Sequence, residues 1–247
     1  MSEQEKTIIL ENHSFFETFD LIHRRFDYYR PVVPQRAILN DIPPDVESSS
    51  EEASFRFEED KITPYELPPD RIYSAVFVDS CQSWYGTKQF MRITLPQTPK
   101  GSFYIFQDYG ACTCFWVPIF LQSFHNNFKL VAFVDHTYTF ELTEELSPEM
   151  VDQSFPDSPL GLSRSDYEIL YKQLLANSIL CNDVYTLLNY QLQHAAALAY
   201  LGYRDEARAK IVDLLNSPYA LTHRGWILSS LNGPTYDPNQ NMIDLFL

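Results

Sequence analysis

The sequence predicts an α/β fold: a mostly parallel sheet with flanking helices and a C-terminal antiparallel hairpin, followed by a helical extension. Short apolar runs alternate with amphipathic stretches through residues 1–150. That alternation belongs to strands laid side by side with helices on the sheet faces. Four of the runs end in an acid, at Glu11, Asp41, Asp79 and Asp108. After residue 162 the apolar period becomes helical.

Thr7-Ile8-Ile9-Leu10 reads as a buried strand closed by Glu11. Ser14 and Glu17 form a capping box, and Phe15, Phe19, Ile22, Phe26 and Tyr29 follow at helical spacing until Pro31. Ala37-Ile38-Leu39 is a second run, broken by Pro43-Pro44 and followed by a polar loop. Phe55-Arg56-Phe57 alternates as a half-exposed strand does. Ser74 to Val78 is the strongest strand, and Thr87, Phe90 and Met91 mark a helix after it. Phe103 to Phe106 is the next strand, Trp116 to Phe124 a helix, and 128–134 with 137–142 a hairpin turned at Asp135-His136.

Ser154 to Leu162, rich in proline and serine, reads as a linker. It separates a domain at 1–150 from an extension at 151–247. Tyr167, Leu170, Tyr171 and Leu174 then share a helix face, a second helix covers Asp183 to Leu201, and a third covers Arg204 to Leu215. Gly202 separates the last two, and Asn216-Ser217-Pro218 stops the third.

The net charge of −15 repels phosphate backbones and anionic lipid, so neither a nucleic acid nor a membrane is an expected partner. Cys81, Cys112, Cys114 and Cys181 have no zinc spacing and read as reduced thiols. The polar N-terminus and the lack of a long apolar run give a cytoplasmic expectation.

Ala75-Val76-Phe77-Val78-Asp79-Ser80, with Pro99-Lys100-Gly101-Ser102-Phe103-Tyr104-Ile105-Phe106-Gln107-Asp108-Tyr109, carries a family resemblance. The segment from Tyr73 to Leu142 resembles class I S-adenosylmethionine-dependent methyltransferases, and looks closest to the metal-dependent O-methyltransferases of macrolide sugars. The resemblance implies a Rossmann-like sheet and methyl transfer to an oxygen of a small-molecule acceptor. It assigns S-adenosylmethionine to Glu11, Asn12, Asp41 and Asp60, with Glu11 at the methionine end, Asp41 on the ribose hydroxyls and Asp60 near the adenine amine. It makes Asp79 and Asp108 the polar catalytic centre and the ligands of a Mg²⁺ ion. His136 is a candidate general base, or a hydrogen-bonding residue of a turn. Trp84, Tyr85 and Trp116 either wall the substrate or pack the core.

Three features depart from that family. The loop Glu11-Asn12-His13-Ser14-Phe15 has no glycine where the family's cofactor loop is glycine-rich, and Gln107 stands where an acid is usual. The family's helix before the first strand has no counterpart, and the sequence leaves open whether an N-terminal segment is missing. The alternative to an enzyme is therefore a catalytically inactive scaffold that binds a protein partner. Leu192 to Pro218 also resembles a tetratricopeptide-type helical hairpin, which implies a protein partner or a homodimer through the extension.

Overall fold

The computed structural model describes residues 37–38, 63–64, 67–79, 83–181, 183–233 and 243. The chain divides into two compact units, Met1–Ile38 with Ser48–Glu66, and Leu39–Glu47 with Leu67–Leu247. In the first, β1 (Ala37–Ile38) and β2 (Thr63–Pro64) pair in parallel. The strand expected at Ala37 is present. The expected elements at 7–10, 14–29 and 55–57 lie outside the described residues.

The second unit is α/β, with one four-stranded sheet and seven α-helices among its described residues. In chain order these are β3 (Ala75–Val78), α1 (Trp84–Thr94), β4 (Phe103–Phe106), α2 (Trp116–Ser123), β5 (Phe128–Val134), β6 (Thr137–Leu142), α3 (Pro148–Ser154), α4 (Arg164–Cys181), α5 (Val184–Tyr200), α6 (Arg204–Leu215) and α7 (Pro218–Leu231). The strand order is β3-β4-β6-β5. β3 and β4 are parallel, whereas β6 is antiparallel to both β4 and β5. The described sheet is thus mixed, and the mostly parallel arrangement is not what its pairings give. The cause is the hairpin: a two-residue turn forces β6 to run back, and β6 takes the place beside β4. β3, β4 and β5 still share one direction.

The sheet buries one face. Tyr104, Phe106, Tyr138 and Phe140 are buried on it, while Phe77 is 60% and Phe103 39% exposed. This is the alternation of a sheet covered on one side. The hairpin turn sits at Asp135-His136, with Val134 opposite Thr137. Asp135 takes φ 55°, a left-handed geometry that aspartate tolerates in such turns.

α1 is started by Ser83, whose hydroxyl accepts from Gly86 N–H. Its inner face holds Lys88, only 2% exposed. The ammonium donates to Phe155 O and to Asp157 Oδ1, both at 2.6 Å, and Asp152 Oδ1 lies 3.4 Å away. Trp84 stacks on Phe155 at 4.2 Å and its Nε1 donates to Pro156 O. The proline- and serine-rich stretch read as a linker is therefore packed against α1. One continuous core runs from Val78 to Leu231.

α4 to α7 pack in sequence, each on the next. α5 ends in a Schellman motif, with Gly202 N–H donating to Ala199 O and Tyr203 N–H to Leu198 O. The motif needs a left-handed residue, and Gly202 supplies it at φ 88°. Pro218 does stop α6, but it also opens α7, since the first helical turn needs no proline N–H. That fourth helix is not read from the sequence. His194 on α5 is buried and stacked on Tyr171 at 4.4 Å. Burial, with Lys210 and Arg164 nearby, lowers its pKa to about 3. Glu168 Oε1 lies 3.3 Å from its Nε2, yet that nitrogen has no hydrogen-bond partner. No helix among the described residues is long and apolar enough to cross a membrane.

Lys88→Met leaves Phe155 O without its donor and should lower stability by about 2–3 kcal/mol. A urea midpoint equal to wild type would show that ring stacking alone holds this segment. His194 gives a pH signature. Its unfolded pKa is about 6.5, so between there and about 3 the unfolded chain binds the extra proton. Its contribution is complete above the unfolded value and declines as pH falls through the window. Urea titrations of His194→Leu should show a shallower loss between about pH 6.5 and 4 than wild type; equal slopes would show that other groups set the acid limb.

Candidate functional site

The site is built where β3 and β4 end. Val78 is paired with Phe106, and Gln107 N–H donates to Val78 O at 2.8 Å. Asp79 and Asp108 therefore leave the sheet on the same rim. β6 is antiparallel to β4 with Tyr138 opposite Phe106, so its turn begins at that rim too. Gly110 N–H donates to His136 O at 3.3 Å. Asp79, Asp108 and His136, expected from the sequence as catalytic, thus come from the ends of three strands at one edge. Asp79 is exposed and Asp108 half-buried. Asp108 has φ 57°, which turns the chain sharply into Tyr109-Gly110.

His136 has two different nitrogens. Nε2 lies 3.8 Å from Asp135 Oδ1. Nδ1 is buried and has no hydrogen-bond partner. It packs on the bare backbone of Gly110, where a Cβ would lie 3.1 Å from Nδ1, 3.0 Å from Asn189 Nδ2 and 3.2 Å from Tyr138 Cε2. Glycine is required here by close approach.

α5 supports the loop from the other side. Asp183 caps the helix by accepting from Tyr185 and Thr186 N–H. Thr186 Oγ1 also donates to Asp183 Oδ2 and is hydrogen-bonded to the Tyr138 hydroxyl. Gln193 Nε2 donates to Tyr109 O at 2.8 Å and to Ala111 O at 2.7 Å, on either side of Gly110. Asn189 Oδ1 and Gln193 Oε1 are buried without a hydrogen-bond partner. Unpaired buried polar atoms are costly, and several around one loop mark where a polar group of a ligand or a water fits. Sequence reasoning missed these α5 residues. The available signal was Thr186, Asn189 and Gln193 at helical spacing on a largely apolar helix.

The thiols nearby are inert. Burial, then the Asp108 carboxylate, pushes the Cys114 thiol up, and burial pushes Cys112 up to about 11. Both are free, as expected. Trp84 and Trp116 are core residues, packed edge to face at 5.3 Å. Glu11, Asn12, Asp41 and Asp60 lie outside the described residues. Among the described residues no group of three or more His, Cys, Asp or Glu is arranged to hold a metal ion. No family model, curated protein or solved structure matches this chain.

Gly110→Ala should push the Asn189, His136 and Tyr138 side chains apart by a few tenths of an ångström and cost about 1–3 kcal/mol. The His136 ring protons should shift in NMR spectra. An unmoved His136 signal with full stability would show that this contact does not position the ring.

Proposed function

We propose that this protein is an S-adenosylmethionine-dependent methyltransferase-like protein, acting on a hydroxyl oxygen of a small molecule. One observation carries the reading: Asp79 and Asp108 end two adjacent parallel strands, and His136 faces the same rim. Ligands of open α/β sheets bind at the carboxyl ends of the strands. Two further features are compatible with a Rossmann-like half-sheet. β3-α1-β4 is a parallel crossover unit, and an antiparallel hairpin completes the sheet.

When bound, the cofactor supplies an electrophilic methyl group. The chain's part is to hold and deprotonate the acceptor. Asp79 and Asp108 accept hydrogen bonds from acceptor hydroxyls. His136 takes the proton of the reacting hydroxyl at Nε2. Gly110, at which a Cβ would lie 3.1 Å from Nδ1, leaves room for the ring. None of these steps is routed through a metal.

The scaffold reading draws on a separate observation. Leu221, 88% exposed, and Leu228, 39% exposed, lie on the outer side of α7, where a partner would pack.

Calorimetric titration with S-adenosylhomocysteine separates the two readings. The enzyme reading expects micromolar binding. It also expects His136→Gln to keep that binding while reducing turnover of a hydroxylated acceptor by roughly 10²- to 10⁴-fold. No heat at millimolar ligand would leave the scaffold reading.

A further inference from the structure

The sheet's buried side holds a cavity of about 620 Å³ between the β5–β6 strands and helices α2, α4 and α5. Its volume lies in the range of small-molecule sites. Leu121, Phe128, Phe140 and Leu174 wall it, and all four are buried. The Tyr109 and Tyr190 rings close the inner end, where Tyr190 donates to the Tyr109 hydroxyl at 3.2 Å. With those hydroxyls already paired, the inner end takes an apolar group.

The exposed lining residues mark the mouth. They are His125, Lys129, Gln173, Ala176 and Asn177, so the cavity opens between edge strand β5 and α4. Lys129 alternates with Phe128 and Leu130, which pack on the core, and its ammonium therefore stays in solvent at the lip of the mouth. Glu141 is opposite Lys129 in the hairpin, yet the two form no ion pair. Gln173 Oε1 accepts from Gln122 Nε2 at 3.0 Å, which leaves Gln173 Nε2 free to donate. No Asp or Glu lines the cavity, in a chain whose net charge is −15. Physiological salt screens the rest of the acidic surface beyond about 8–10 Å, so the local cation governs a ligand at the mouth.

We propose that this cavity is a binding site for a small apolar carboxylic acid. Its hydrocarbon body lies against the buried walls, and its carboxylate stays at the mouth, held by the Lys129 ammonium and the Gln173 amide. A carboxylate at the mouth keeps part of its hydration and gains a cation, whereas one at the inner end would have neither. The site does not depend on methyl transfer.

The probe is cis-parinaric acid, a polyene carboxylic acid that fluoresces in apolar surroundings. Titrated into the whole chain, it should give a saturable 1:1 rise with a micromolar Kd. Dodecanoate should displace it at a concentration roughly fivefold or more below that of dodecan-1-ol, which has the same chain and no charge. Lys129→Glu should weaken probe binding roughly 5- to 20-fold, since an exposed charge pair is replaced by a like-charged one. Ala176 lines the cavity from an exposed position on α4, so Ala176→Trp can obstruct it without touching the core. This variant should weaken binding by roughly tenfold or more. Both positions are exposed, so both variants should keep the wild-type urea midpoint. No saturable rise, or equal binding to Ala176→Trp, overturns the site. Equal displacement by the acid and the alcohol, or an unchanged Kd for Lys129→Glu, overturns the assignment of a carboxylate to the mouth.

Discussion

A single buried charge fixes how the second unit closes. Lys88 projects from α1 into the core, where an unpaired ammonium would be severely destabilising. It is compensated only when Phe155 O and Asp157 are brought to 2.6 Å and Asp152 close by. The requirement draws the chain after α3 back across α1. Phe155 then lies against Trp84, and Trp84 against Trp116. Tyr167 at the start of α4 reaches the same two tryptophans. The order of events is physical rather than temporal: the ion cluster sets the register of a segment, and the rings give that register its apolar stabilisation.

From that closure follows the placement of α5. Once α4 is anchored on α2, α5 lies against the loop after β4, and its polar residues meet that loop's backbone. The loop needs this support because it is turned by a left-handed Asp108 and narrowed to bare backbone at Gly110. The same helix contributes Tyr190 to the lining of a cavity on the sheet's buried side and Asn189 beside the Gly110 backbone. One helix thus joins two chemically different places, a polar edge and an apolar pocket, on one rigid support. Sites on such supports hold their geometry better than sites on loops alone.

Much of the fold was legible because it is local. Phe103–Phe106, 128–134 and 137–142 have the lengths and alternation of strands, and they occur as read. The Asp135-His136 turn was visible because aspartate tolerates the backbone geometry that a tight hairpin demands. Gly202 marked the end of α5 for a similar reason. Other features were not legible. Pro218 is compatible with stopping one helix and with starting another, and only the chain's path showed that it does both. The stretch 154–162 has a linker's composition, yet Phe155 is buried because a lysine 67 residues earlier needs its carbonyl.

By itself, then, the sequence determined where the strands from β3 to β6 and most of the described helices form, that Asp79 and Asp108 follow β3 and β4, and that Cys112 and Cys114 remain unbonded. Periodicity, capping and turn chemistry act over a few residues, so a linear reading reaches them. The tertiary structure decided that β6 lies beside β4, that Asp79, Asp108 and His136 share an edge, and that Tyr109 meets Tyr190 in a cavity. Those outcomes depend on pairing and burial between residues far apart in the chain, and no local pattern encodes which distant partner will satisfy a buried polar group.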